Sequence, residues 1–123
     1  MLIMDRQLAK RELLWAAVDD WTGLWEATWS IQTTWPEMTG SPAQKIAHSL
    51  LKELLSQGLV YVCFFDESTN SERPVTVNEA LELLNVVENW QAPSSSENQI
   101  RFAATEAGKG ELYKLEASAE ASS

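Results

Sequence analysis

Between Ser41 and Gly58 the chain reads SPAQKIAHSLLKELLSQG, and apolar residues return every third or fourth position, at Ala43, Ile46, Ala47, Leu50, Leu51, Leu54 and Leu55. That period predicts a helix with one buried stripe. Ser41 as N-cap, Pro42 at the first helical position and Gln44 at the third begin it, and Gly58 supplies the left-handed stop. LVYVCFF follows directly, a β-branched and aromatic run that predicts a strand. After the polar turn DESTNSERP, Thr76 and Glu79 make a second capping box, with Val75 and Ala80 at the staple positions. Val77, Ala80, Leu81, Leu84, Val87 and Trp90 then mark the inner face of a helix from Thr76 to about Trp90. APSSSEN predicts a loop, QIRFAAT a strand, and EAGKGELYKLEAS a glycine-interrupted turn followed by a short helix. The small polar residues 117–123 predict a flexible tail.

The N-terminal part is less regular. From Asp5 to Val18 a helix is expected, with Leu8, Leu14, Trp15 and Val18 on one side and Leu13 and Ala17 elsewhere. A helix apolar on more than one side is packed on more than one side. Next, DDWTGLWEATWSIQTTWP holds Trp21, Trp25, Trp29 and Trp35, four of the chain's six tryptophans. At helical period Ile31, Leu24, Trp35, Thr28, Trp21, Trp25 and Trp29 span an arc of about 160°. Glu26, Ser30, Thr33 and Thr34 lie opposite, Asp19 or Asp20 can cap the start, and Pro36 stops the helix. Trp21, Trp25 and Trp35 are therefore expected in the core. Trp29, at the edge of the arc, is the candidate exposed aromatic contact.

Composition narrows the class. With 45% hydrophobic and 22% charged residues in 123, the chain suits one soluble domain, expected over residues 1–116. Charges at Asp5, Arg6, Lys10, Arg11 and Glu12 interrupt any apolar leader, so no signal peptide or membrane span is expected. One cysteine, Cys63, cannot close an internal disulfide, and the lone His48 has no partner for a zinc site. A cytoplasmic location is expected. The net charge of −9 is uneven, −2 over residues 1–60 and −7 over residues 61–123. Nucleic-acid binders concentrate positive charge where phosphates lie; the second half of this chain does the reverse.

The stretch SPAQKIAHSLLKELLSQGLVYV, followed later by IRFAATEAGKGELYKL, resembles the winged helix-turn-helix superfamily over roughly residues 8 to 116. In that superfamily a third helix ends in glycine and turns into the first wing strand. A second wing strand enters a T-x-x-G-[KR] turn and a closing helix. The corresponding residues are Gln57-Gly58-Leu59-Val60 and Thr105-Glu106-Ala107-Gly108-Lys109. The resemblance implies an α+β, mainly helical fold. It would have a three-helix core, a two-stranded wing sheet, an extra helix inserted between the wing strands, and a short C-terminal helix. The insertion departs from the pattern. A wing is a short hairpin, whereas residues 66–98 place 33 residues between the strands, and these carry seven carboxylates against Arg73, a balance of −6.

Candidate chemistry is sparse. Lys45, His48, Ser49 and Lys52 line the polar face of the third helix and match the positions from which winged-helix regulators read bases; any amphipathic helix also has such a solvated face. A Cys63–His48 nucleophile pair lacks a group to orient the histidine and a glycine-rich oxyanion loop. The carboxylates lie on helix faces and turns, and EAGKG is too short for a phosphate loop. No catalytic, cofactor-binding or metal residues are assigned, and an enzyme is not expected. Two binding classes remain. Charge favours a module acting through protein–protein interaction in a regulatory role, with self-association into a homodimer as one form. The alternative is a DNA-binding transcriptional regulator using the third helix.

Overall fold

The structure is a computed structural model that describes residues 6–19, 22–36, 41–91 and 99–122. Its described elements run α1 (Arg6–Asp19), β1 (Thr22–Gly23), α2 (Leu24–Thr34), α3 (Ser41–Ser56), β2 (Val60–Asp66), β3 (Ser71–Pro74), α4 (Val77–Leu84), a 3-10 turn (Val87–Trp90), β4 (Gln99–Ala104) and α5 (Glu106–Ser122). The fold is α+β and mainly helical, with a four-stranded antiparallel sheet in the order β1-β4-β2-β3. Leu13 and Leu14 of α1, Leu24 and Ile31 of α2, and Leu50, Leu51 and Leu54 of α3 are fully buried together with Val62 of β2 and Phe102 of β4. Burial of this apolar set is the main favourable term in folding.

The stripe read in α3 is buried as expected, apart from half-buried Ile46. Its C-terminus closes as a Schellman turn. Leu59 N–H donates to Leu54 O (2.9 Å) and Gly58 N–H to Leu55 O (3.1 Å), with Gly58 at φ +72°. Ser41's capping side chain lies outside the described residues.

The expected two-stranded sheet is corrected to four strands. β1 is two residues long and sits inside the tryptophan run, so no alternation could announce it. There Thr22 pairs with Phe102 and Gly23 with Arg101, while Thr22 Oγ1 donates to Ala16 O at 2.8 Å. This strand displaces the expected start of the second helix to Leu24, with Gly23 as its N-cap and no side-chain cap; Asp20 and the Asp19 side chain lie outside the described residues. β3 is SERP, half of the segment read as a polar turn. Its residues are all exposed, as on an edge strand that tolerates Pro74. Asp66 pairs with Ser71 across the turn, where Asn70 adopts φ 53° and Ser68 N–H and Oγ both donate to Asp66 Oδ1. The Ser68 hydroxyl holds the Asp66 carboxyl below its ordinary range.

The helix expected from Thr76 to Trp90 is also corrected. Thr76 caps it as read, accepting from Glu79 N–H at 3.2 Å, but α4 ends at Leu84. Val86 turns extended, at φ −92° and ψ 114°, and a 3-10 turn follows. Two side chains hold the break. Trp90 Nε1 donates to Leu84 O at 2.8 Å, and Asn89 Nδ2 to Leu83 O at 2.9 Å, taking carbonyls that an uninterrupted helix would use internally. The change of phase buries Trp90 and leaves Val87 63% exposed, against its expected inward position. Val77 is exposed as well.

In α1 the buried set is Ala9, Leu13, Leu14 and Ala17, and Trp15 is exposed rather than inward. The helix packs on α2, β4 and α5, which is why its apolar pattern has no single stripe. At the other end, EAGKG, expected as a turn, is already helical from Glu106, and the helix expected to be short extends through residues 117–122, where composition suggests a tail.

Candidate functional site

On α3, the four residues read as a contact face are not equivalent. Lys45, Ser49 and Lys52 are exposed, while His48 is half-buried. Its Nε2 lies 3.2 Å from Asn85 Oδ1, and its ring sits 5.8 Å from that of Trp90, tilted by 51°. Both partners come from the insertion, in the break and the 3-10 turn that follow α4. Because Asn85 is a helix C-cap and Trp90 is anchored to Leu84 O, the same interruption that ends α4 also holds His48.

The result is a cleft of about 600 Å³ between α3 and the α4–3-10 segment. Gln44, Lys45 and His48 line one wall, and Leu84, Asn85, Val87 and Trp90 the other. Leu84 and Trp90 form a buried apolar floor, and Val87 stands exposed on the rim. Glu79, Glu82 and Glu88 belong to the same α4–3-10 segment that supplies the second wall. The cleft thus combines one ammonium, an imidazole and two amide side chains with apolar surface, the composition of a binding site. Nothing in the sequence announced it, because it depends on Asn85 and Trp90 meeting His48 from about 40 residues away.

Cys63 lies elsewhere, fully buried on β2. Burial in the sheet pushes its thiol up to about 12, and the nearby Glu72 carboxylate adds to the effect, against Arg101. Its electrostatic neighbours are Glu72 and Arg101, whereas those of His48 are Asn85 and Trp90, so the structure does not join the two residues as a nucleophile and base. Among the described residues there is no group of three His, Cys, Asp or Glu side chains that could hold a metal ion. Among them, too, no helix is long and apolar enough to cross a membrane.

Of the tryptophan run, Trp35 is buried, Trp25 is half-buried with its indole across Gly23, and Trp29 is 63% exposed. Trp21 lies outside the described residues. Trp29 stands in a separate notch of about 270 Å³ between α1 and α2, lined also by Glu12, Glu26, Ser30, Thr33 and Thr34.

Thr105 of the T-x-x-G motif is a clamp at one end of the sheet, where β2 begins and β4 ends. Thr105 Oγ1 donates to Gly58 O at 2.7 Å and accepts from Gly108 N–H at 3.1 Å, while Thr105 N–H donates to Leu59 O at 3.0 Å. Thr105 therefore caps α5 and ties it to the end of α3. Gly108 is required by the close approach, since a Cβ there would fall 2.0 Å from Leu59 O. Compared with known protein families, curated proteins and solved structures, the chain matches none.

Proposed function

We propose that this chain is a non-catalytic, acidic, winged-helix-like module that acts through protein–protein contact in a regulatory role, with a homodimer as one form. The winged-helix-like reading is supported by the passage from α3 through Gly58 into β2, and by the passage from β4 through the Thr105 cap directly into α5. The insertion after β2 is the departure on which function turns.

One observation carries the choice of partner. The α4–3-10 segment, with Glu79, Glu82 and Glu88, packs beside the polar face of α3 and engages His48 through Asn85 and Trp90. A duplex approaching Lys45 and Lys52 would meet those carboxylates, and the phosphate attraction of two lysines would be opposed at short range. A protein partner meets instead an apolar-floored cleft with Val87 exposed at its edge, which is the mix of apolar centre and polar rim that protein contacts use. The DNA-binding reading rests on the exposed Lys45, Ser49 and Lys52, spaced along one side of α3.

Titration of labelled genomic fragments at low and physiological salt separates the two. The expected result is weak binding that vanishes at physiological salt. Submicromolar, sequence-dependent binding there, abolished by Lys45→Ala with Lys52→Ala, would make the chain a DNA-binding regulator.

A further inference from the structure

We propose that the cleft between α3 and the α4–3-10 segment binds a small apolar monocarboxylate, an acid with an aromatic or branched aliphatic body. Its carboxylate lies against the Lys45 ammonium and the Gln44 amide, and its body rests on Leu84, Val87 and Trp90. This goes beyond the protein contact proposed above, because the occupant is a small molecule and its binding requires no partner.

The polar groups still available in the cleft select the ligand. Gln44 and Lys45 stand four and three positions before His48 on α3, so the three share one side. His48 is already engaged, with Nε2 3.2 Å from Asn85 Oδ1, and serves as a fixed wall. The side chains of Gln44 and Lys45 have no hydrogen bond or ion pair with other described residues. Gln44 is half-buried, so a partner for its amide is worth more there than on an open surface. An ammonium and an amide N–H both donate, and one carboxylate can accept from both.

Charge points the same way. Among the described residues no Asp or Glu lines the cleft, although the chain has 18 of them against 9 Lys and Arg. The notch around Trp29, by contrast, has Glu12 and Glu26 in its lining. Lys45 therefore sets the sign of the cleft, and its single charge balances one carboxylate. Glu79, Glu82 and Glu88 stand exposed elsewhere on the α4–3-10 segment and oppose a polyanion more than a monoanion. The apolar body follows from Leu84 and Trp90 in the floor and from exposed Val87 at the rim. The volume of about 600 Å³ falls within the roughly 300–1,000 Å³ of small-molecule sites.

The test titrates the full chain with 4-phenylbutyrate at constant pH and reads the binding by NMR. His48 is the chain's only histidine, so its ring C–H signals identify themselves. The acid is expected to shift them saturably, with a Kd on the order of a millimolar for a ligand of about a dozen non-hydrogen atoms. 4-Phenylbutanamide keeps the shape without the charge and should bind about fivefold more weakly. Acetate keeps the charge without the body and should give no saturable shift. Lys45→Met, which retains a long apolar stem, should lower the acid to the affinity of the amide. Lys52→Met, on the same helix but outside the lining, should leave it unchanged, and backbone amide spectra report that both variants are folded. Silence at His48, equal affinity for acid and amide, the same shift with acetate, or undiminished acid binding in Lys45→Met would each overturn the proposal. None of these results touches the protein contact, which is read from a partner's affinity and not from the acid.

Discussion

Gly108 and Cys63 show how single residues report their surroundings. At Gly108 a methyl would collide with the Leu59 carbonyl oxygen, a backbone atom that cannot move without opening the Thr105 clamp. Gly108→Ala should therefore cost about 3 kcal/mol, at the upper end of overpacking, read as a lowered urea midpoint. Gly58→Ala places an L-residue at φ +72° with no steric neighbour, and should cost only about 1–2 kcal/mol. Cys63 gives a pH signature. Its folded value near 12 lies above the ordinary 9, so the unfolded thiol loses its proton first as pH rises. Its contribution to stability is fully present below about 9 and declines between the two values; Cys63→Ala should lack that alkaline decline. Native Cys63 should react with a thiol reagent at pH 8 on the order of a hundredfold or more slower than the denatured chain, from thiolate fraction alone. The Thr105-to-Gly108 spacing and the stop at Gly58 were legible in the sequence, because a cap and a left-handed turn are local. That the two would be bonded to each other was not.

At the scale of elements, the interruption between α4 and the 3-10 turn is the decisive feature. Continuous helical period from Val77 to Trp90 put Val87 inside, and the pattern held no proline or glycine to mark a break. The break depends on Trp90 and Asn89 bonding back to the last carbonyls of α4, and on the packing of Trp90 against His48. Trp90→Phe retains most of the apolar volume but leaves Leu84 O without its donor, a loss of about 1–3 kcal/mol if that carbonyl stays dry. Trp90→Ala should release the segment. Amide exchange is then expected to quicken over residues 77–91 while β2 and β4 remain protected, and loss of protection throughout would mean that the segment is integral to the core. In α2, the tryptophans divide by exposure. Trp35→Ala should cost about 3–5 kcal/mol as a core deletion, and Trp29→Ala much less, since most of its indole is in solvent. Equal losses would mean that Trp29 packs as Trp35 does.

For the whole molecule, the distribution of charge matters more than its sum. The acidic insertion packs on α3, the helix that carries Lys45 and Lys52, so under the proposed reading its carboxylates oppose a docking duplex. Lys45→Ala with Lys52→Ala should leave partner binding through the cleft largely intact if Val87 and the apolar floor dominate. Val87→Glu should weaken it by about tenfold or more, as a charge placed at the apolar edge of a contact does. Both effects are read by affinity for a recombinant partner. Unchanged binding in Val87→Glu would remove the cleft from the interface.

By itself the sequence determined what local physics decides. The period of α3, the cap at Thr76, the glycine at the end of α3 and the two long strands each follow from residues within a few positions of one another. The excess of carboxylates after residue 60 needs no coordinates either. Tertiary structure alone decided the rest. β1 is two residues held by β4, β3 is a polar edge held by β2, and neither has enough of its own pattern to declare itself. His48 looked like an open position on a polar helix face until Asn85 and Trp90 arrived beside it. Contacts between residues far apart in the chain cost loop-closure entropy and are favoured only when the whole core forms, so no short stretch of sequence can record them.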